Sequence, residues 1–103
     1  MTLQNLAKQA GEDGHRWFPE VQHLPHQVLS LAGEVGELAN LVKKVDRGTD
    51  TFDDLRHQMI SELMDVFVYA FAAAALLGIK DLDQMYANTR NLNELRFNKS
   101  SII

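Results

Sequence analysis

The sequence predicts an all-α chain, a bundle of four main helices of which the apolar surfaces are completed by oligomerisation. Three observations predict it. Prolines occur only at positions 19 and 25, so the rest of the chain is free of the strongest helix breaker. Apolar residues recur at steps of three and four along the long segments. No stretch alternates with period two for long enough to make a strand. The 103 residues form one domain, 1–103. A domain of this size buries only about 60–70% of its unfolded surface, which favours association.

Taken in order, a first helix is expected over Leu3 to Glu12, with Leu3, Leu6, Ala7 and Ala10 at helical spacing. Gly11 and Gly14 then loosen the chain. His15 to Leu24, with Pro19 inside it and Pro25 just after, reads as an irregular loop carrying Trp17 and Phe18. A second helix is expected from Pro25 to Val45, since proline suits a first turn and Leu31, Val35, Leu38, Val42 and Val45 repeat by fours and threes. Lys43 and Lys44 suit its negative pole, and Gly48 stops it. A third helix starts at Phe52 behind the cap Thr51, with Asp53 and Asp54 in its first turn, and runs to Leu77 before Gly78. A fourth follows Lys80, capped by Asp81, and reaches about Asn98. From Val66 to Leu77 the third helix is apolar on every face and must be covered all round. The small side chains of Ala72 to Ala75 admit a close backbone, and a second subunit is the expected cover.

Composition narrows the function. Hydrophobic residues make up 46% and charged residues 23%, ordinary for a folded domain. The net charge is −4 without a lysine- or arginine-rich run, which disfavours nucleic-acid polymers but leaves room for a small anion bridged by a cation. With no cysteine there is neither a disulfide framework nor a thiolate zinc site, and a cytoplasmic location is expected. Gln4, Lys8 and Gln9 interrupt any signal-peptide core, and the most apolar stretch, Val66 to Ile79, falls short of the roughly 20 residues a membrane span needs. No membrane is expected.

Two acidic pairs carry the chemistry. Glu34 and Glu37 are three apart on the second helix, and Glu62 and Asp65 three apart on the third, so each pair shares a face. Glu34 lies between Leu31 and Leu38, and Glu62 between Met59 and Val66, on or beside the apolar stripes where exposed acids do not belong. A short loop around Arg47 to Thr51 makes the two helices antiparallel neighbours, and counting outward from it puts both pairs at similar heights. Four converging carboxylates repel one another or hold protons unless a cation intervenes. All-oxygen ligation selects a hard ion such as magnesium, manganese or calcium. A single Glu-x-x-Glu pair is ordinarily a solvated patch, and a di-iron bundle wants Glu-x-x-His pairs, which are missing here.

The stretches Leu29-Ser-Leu-Ala-Gly-Glu-Val-Gly-Glu-Leu-Ala-Asn40 and Glu62-Leu-Met-Asp-Val-Phe-Val-Tyr69 resemble the MazG-like all-α NTP pyrophosphatases, nearest to the dCTP pyrophosphatase-type branch. The resemblance extends from Trp17 to about Phe97. It implies a homodimer or a homotetramer built as a dimer of dimers. It implies magnesium, with manganese as a substitute, held by the catalytic Glu34, Glu37, Glu62 and Asp65. It further implies cleavage of a nucleoside triphosphate between its α and β phosphates, in nucleotide-pool housecleaning, with the base in a pocket partly built by a neighbouring subunit. Asn93 and Arg96 match the end of a lysine and Asn-x-x-Arg motif of many members, but the lysine position is Thr89, with Arg90 one place on. Other members carry a glutamate where Gly33 stands, which leaves the water-activating residue unassigned.

Further substrate contacts are expected from Trp17, His26, Lys44, Tyr69, Arg90, Asn93 and Arg96. Trp17 and Phe18 either stack on a nucleobase or plug the core. Lys43 and Lys44 either meet phosphate or solvate a helix end. Tyr69 lines the pocket or packs, and His23 with His26 lacks the further ligands zinc needs. The competing classes are a non-catalytic helical module that binds nucleotide and metal, and an interaction protein whose acids are surface decoration.

Overall fold

The computed structural model describes residues 1–98, and among them the chain is helical with no strand. Helix α1 spans Leu3–Trp17, a short 3-10 turn Pro19–Val21 follows, and then come α2 (Leu24–Asp46), α3 (Phe52–Leu76) and α4 (Leu82–Phe97). The expected caps form. Thr51 Oγ1 accepts from the Asp54 N–H at 3.2 Å, and Asp81 Oδ1 from the Gln84 N–H at 3.0 Å. Gly48 and Gly78 take positive φ (79° and 73°) just after α2 and α3, where a side chain would strain the turn.

The largest departure from expectation is the end of α1. It continues past Gly11 and Gly14 to Trp17, so the tryptophan closes a helix instead of hanging in a loop. The two glycines serve close packing. A Cβ on Gly11 would stand 3.1 Å from Ala75 Cβ on α3, and one on Gly14 would run into the Gln22 amide. The alanine run of α3 therefore meets a backbone of its own chain, that of α1.

Helices α2 and α3 are joined by residues 47–51 and pack along each other, while α3 also packs on α1. On α2 the inward positions are Leu24, Gln27, Leu31, Glu34, Leu38, Leu41 and Val45, alternating by threes and fours. On α3 they are Leu55, Met59, Glu62, Val66, Tyr69 and Ala73. The expected stripe held Val35 and Val42, which instead point outward, 47% and 49% exposed. Each helix thus carries one glutamate in the middle of its otherwise mostly apolar seam.

Helix α4 packs chiefly on α1 and buries none of its residues. Its direction is fixed at its first turn. Asp83 accepts from the N–H groups of Leu3 (2.9 Å) and Gln4 (3.2 Å), capping α1 from another helix. The Gln4 side chain returns the contact, accepting from the Leu82 N–H at 2.7 Å and donating to the Ile79 carbonyl at 3.1 Å.

The core is small. Among the described residues its buried apolar members are Ala7, Leu55, Ala72, Ala73 and Ala74, and no large side chain is fully enclosed. The accessible surface is 7802 Å², against about 5800 Å² for a compact monomer of this mass. The radius of gyration is 17.0 Å, against about 13 Å. Much of the excess is apolar: Leu63, Met64, Phe67 and Val68 on α3, and Met85, Leu92 and Leu95 on α4, are all exposed. Although Val66 to Ile79 is too short to span a membrane, the whole of α3 is long and apolar enough by length and composition. Glu62 and Asp65 lie near its middle, where a bilayer would charge about 3 kcal/mol for each ionised carboxylate. A half-covered core helix accounts for the same sequence without that penalty.

Candidate metal centre and groove

The seam delivers Glu34 from α2 and Glu62 and Asp65 from α3 to one place. One carboxylate oxygen from each lies within 4.8 Å of the other two. Glu34 and Glu62 are half-buried because they occupy seam positions, whereas Asp65, one turn on, faces the opening. Glu34 Oε2 and Glu62 Oε2 are buried and have no hydrogen-bond partner. Buried carboxylate oxygens without a donor are costly and call for a compensating group.

Glu37 stands at the edge of this trio. Its pKa is raised, first by the neighbouring Glu62 carboxyl and then by partial desolvation. The pKa of Glu62 is raised as well, chiefly by Glu34, with desolvation and the charge of Asp65 adding to it. Like charges crowded together resist ionisation. The donor set is all oxygen and no nitrogen or sulfur ligand stands among them. A hard divalent ion such as magnesium or manganese fits that set and would satisfy both orphaned oxygens.

Glu34 and Asp65 also line a groove of about 1160 Å³ between α1, the 3-10 turn, α2 and α3. Its floor is largely apolar, with Leu6, Phe67, Val68 and Phe71 among the lining residues. Three of the expected substrate contacts, Trp17, His26 and Tyr69, line the same groove. His26 belongs to the first turn of α2, where His23 Nδ1 accepts its backbone N–H at 3.3 Å.

The remaining expected contacts are elsewhere. Lys44 is exposed at the far end of α2, about 15 Å along the helix from Glu34, and its carbonyl closes the turn by accepting from Thr49 and Asp50. Arg90 and Asn93 line a separate shallow cleft on α4 with Glu94 and Phe97. The Arg96 guanidinium lies over the Phe97 ring at 5.1 Å. Within one chain these α4 residues are not brought to the carboxylates.

The sequence reading missed several groove residues. Gln27 is almost wholly buried, and its amide donates to the Val21 carbonyl at 3.1 Å, tying the 3-10 turn to α2. Its signal was available, since it sits seven residues before Glu34 on the same seam. Gln9 and Asp13 line the groove from α1, and Asp13 lies on the stretch of α1 beyond the expected Glu12 end.

No family model, curated protein or solved structure matches the chain. The resemblance noted above therefore rests on its two acidic motifs and their surroundings.

Proposed function

We propose that this chain is a magnesium-dependent nucleoside triphosphate pyrophosphohydrolase, releasing a nucleoside monophosphate and pyrophosphate. The observation that carries the reading is the pair of orphaned glutamate oxygens in a three-carboxylate cluster, two members of which line a largely apolar groove with room for a nucleotide. The motif resemblance supports the same reading. A solvated acidic patch would leave these oxygens facing water.

Glu34, Glu62 and Asp65 would hold the ion, with Glu37 completing the set beside Glu62. Magnesium held there would supply positive charge to offset that of the triphosphate as water attacks the α-phosphorus and pyrophosphate leaves. The cluster's carboxylates orient the attacking water and take its proton. The groove receives the base and sugar against Trp17, His26 and Tyr69, and its apolar floor excludes water from the reacting end. Lys44, Arg90, Asn93 and Arg96 would meet the remaining phosphate charge only from another copy of the chain. Association as a homodimer or homotetramer, in the cytoplasm, is part of the proposal. The exposed surface in excess of a compact monomer is larger than the roughly 800 Å² that each partner gives to a standard interface.

The test is a panel of canonical and modified nucleoside triphosphates with magnesium, resolved by phosphorus NMR. Monophosphate and pyrophosphate are expected. Orthophosphate with diphosphate refutes the proposed bond, and binding without turnover across the panel moves the reading to a non-catalytic nucleotide-binding module.

A further inference from the structure

The groove wall contributed by α1 is a hydrogen-bonded ridge. Gln9, Asp13 and Trp17 succeed one another at i, i+4 and i+8, and all three line the groove. Asp13 Oδ1 accepts from Gln9 Nε2 at 2.9 Å and from Arg16 Nη2 at 2.7 Å. The Arg16 guanidinium in turn lies over the Trp17 ring, 5.1 Å from its centroid. Arg16 is not among the groove-lining residues, whereas Trp17 is. The cation thus covers one face of a ring that lines the groove without itself lining it.

The turn beyond the ring is fixed independently. Phe18 donates its N–H to the Gly14 carbonyl at 2.8 Å, and Gln22 Nε2 donates to the Phe18 carbonyl at 2.9 Å. Gln22 reaches that position because residue 14 lacks a side chain. An indole that is 60% exposed would otherwise turn freely about its side-chain bonds. Here the guanidinium over one face is its side-chain neighbour, and the hydrogen-bonded turn fixes the backbone that carries it.

We infer that Arg16, held by Asp13, is a positioning residue that backs Trp17 so that the free face of the indole stacks on the planar ring of the ligand. The inference rests on the nucleotide reading given above and adds how the ring is held. A cation on one face and a flat heterocycle on the other is a stable sandwich, because the indole face is electron-rich and a nucleobase offers a broad π-surface. The ion pair itself is too exposed to add much to folding, so its loss should register in the ligand rather than in the fold.

Trp17 is the chain's only tryptophan, so its emission reports the site directly. The experiment titrates wild type, Arg16→Met and Arg16→Lys with nucleoside monophosphates in magnesium, following that emission, with KM for the triphosphates measured alongside. Saturable quenching is expected in the wild type. Arg16→Met should weaken the apparent affinity and raise KM about threefold with kcat changed less, and Arg16→Lys should recover most of the loss. In a Trp17→Ala background, Arg16→Met should leave KM where Trp17→Ala alone puts it. Equal affinities for wild type and Arg16→Met overturn the inference, as does an undiminished Arg16→Met effect on KM without the indole. A wild type that hydrolyses triphosphates without any change in emission overturns it while sparing the pyrophosphohydrolase reading. A wild type that neither hydrolyses nor binds nucleotides overturns both.

Discussion

The α2–α3 seam and helix α4 handle their polar residues in opposite ways. In the seam, Glu34 and Glu62 replace apolar residues at inward positions, and packing forces them and Asp65 into one cluster whether or not the charges agree. On α4 nothing is buried, and Arg90, Asn93 and Arg96 are spread along a helix that leans chiefly on α1. The first arrangement is complete within one chain. The second has polar candidates and an apolar face but no counterpart in the same chain. The difference separates a cluster that a hairpin assembles from residues that, in the proposed association, a further copy would bring to it.

The sharpest way to break the comparison is to remove a seam glutamate. Glu62→Ala should lower turnover by more than about a hundredfold, in line with loss of a metal ligand, while circular dichroism keeps the helical signature. Retained turnover would take Glu62 out of the site. A complementary mixture then probes α4. Glu62→Ala and Asn93→Ala chains, each nearly inactive alone, should regain up to about a quarter of wild-type activity when unfolded and refolded together, if α4 serves a partner's carboxylates in a symmetric dimer. No recovery would confine each site to a single chain.

Association can be sharpened separately. Leu63 is exposed on α3 and lies outside the groove. Leu63→Glu should shift the mass in light scattering towards the monomer and lower the melting temperature by several degrees. An unchanged mass would place the interface elsewhere. The smallest expected effect is electrostatic. The pKa values of Glu37 and Glu62 are raised in the folded chain, so between the unfolded and folded values the folded state binds more protons. Stability of the magnesium-free protein should therefore fall as pH rises above the ordinary glutamate range of about 4.3 and level off once both are ionised. Melting curves across pH 4–8 with a chelator check the slope, and its absence would mean that the carboxylates do not crowd one another in solution.

The seam was legible in the sequence because a period of three and four, a short loop and two acidic pairs determine which residues meet. Glu34 and Glu62 stand out in the sequence through their apolar neighbours. The exact stripe was less legible, since Val35 and Val42 satisfy the same spacing as Leu41 and the inward choice depends on what α3 presents. The end of α1 was misread because glycine has two uses, and only the proximity of Ala75 and Gln22 distinguishes close packing from a break. The direction of α4 was not legible at all. It depends on Asp83 capping Leu3 and Gln4, a contact between opposite ends of the chain that no local pattern announces.

Magnesium-dependent melting of wild type beside Glu62→Gln tests the metal centre most directly. In chelator, the neutral glutamine should raise the melting temperature by relieving repulsion within the cluster. Added magnesium should raise it in the wild type and much less in Glu62→Gln. Equal magnesium shifts in the two proteins, or none in the wild type, would contradict a metal centre built on the seam glutamates.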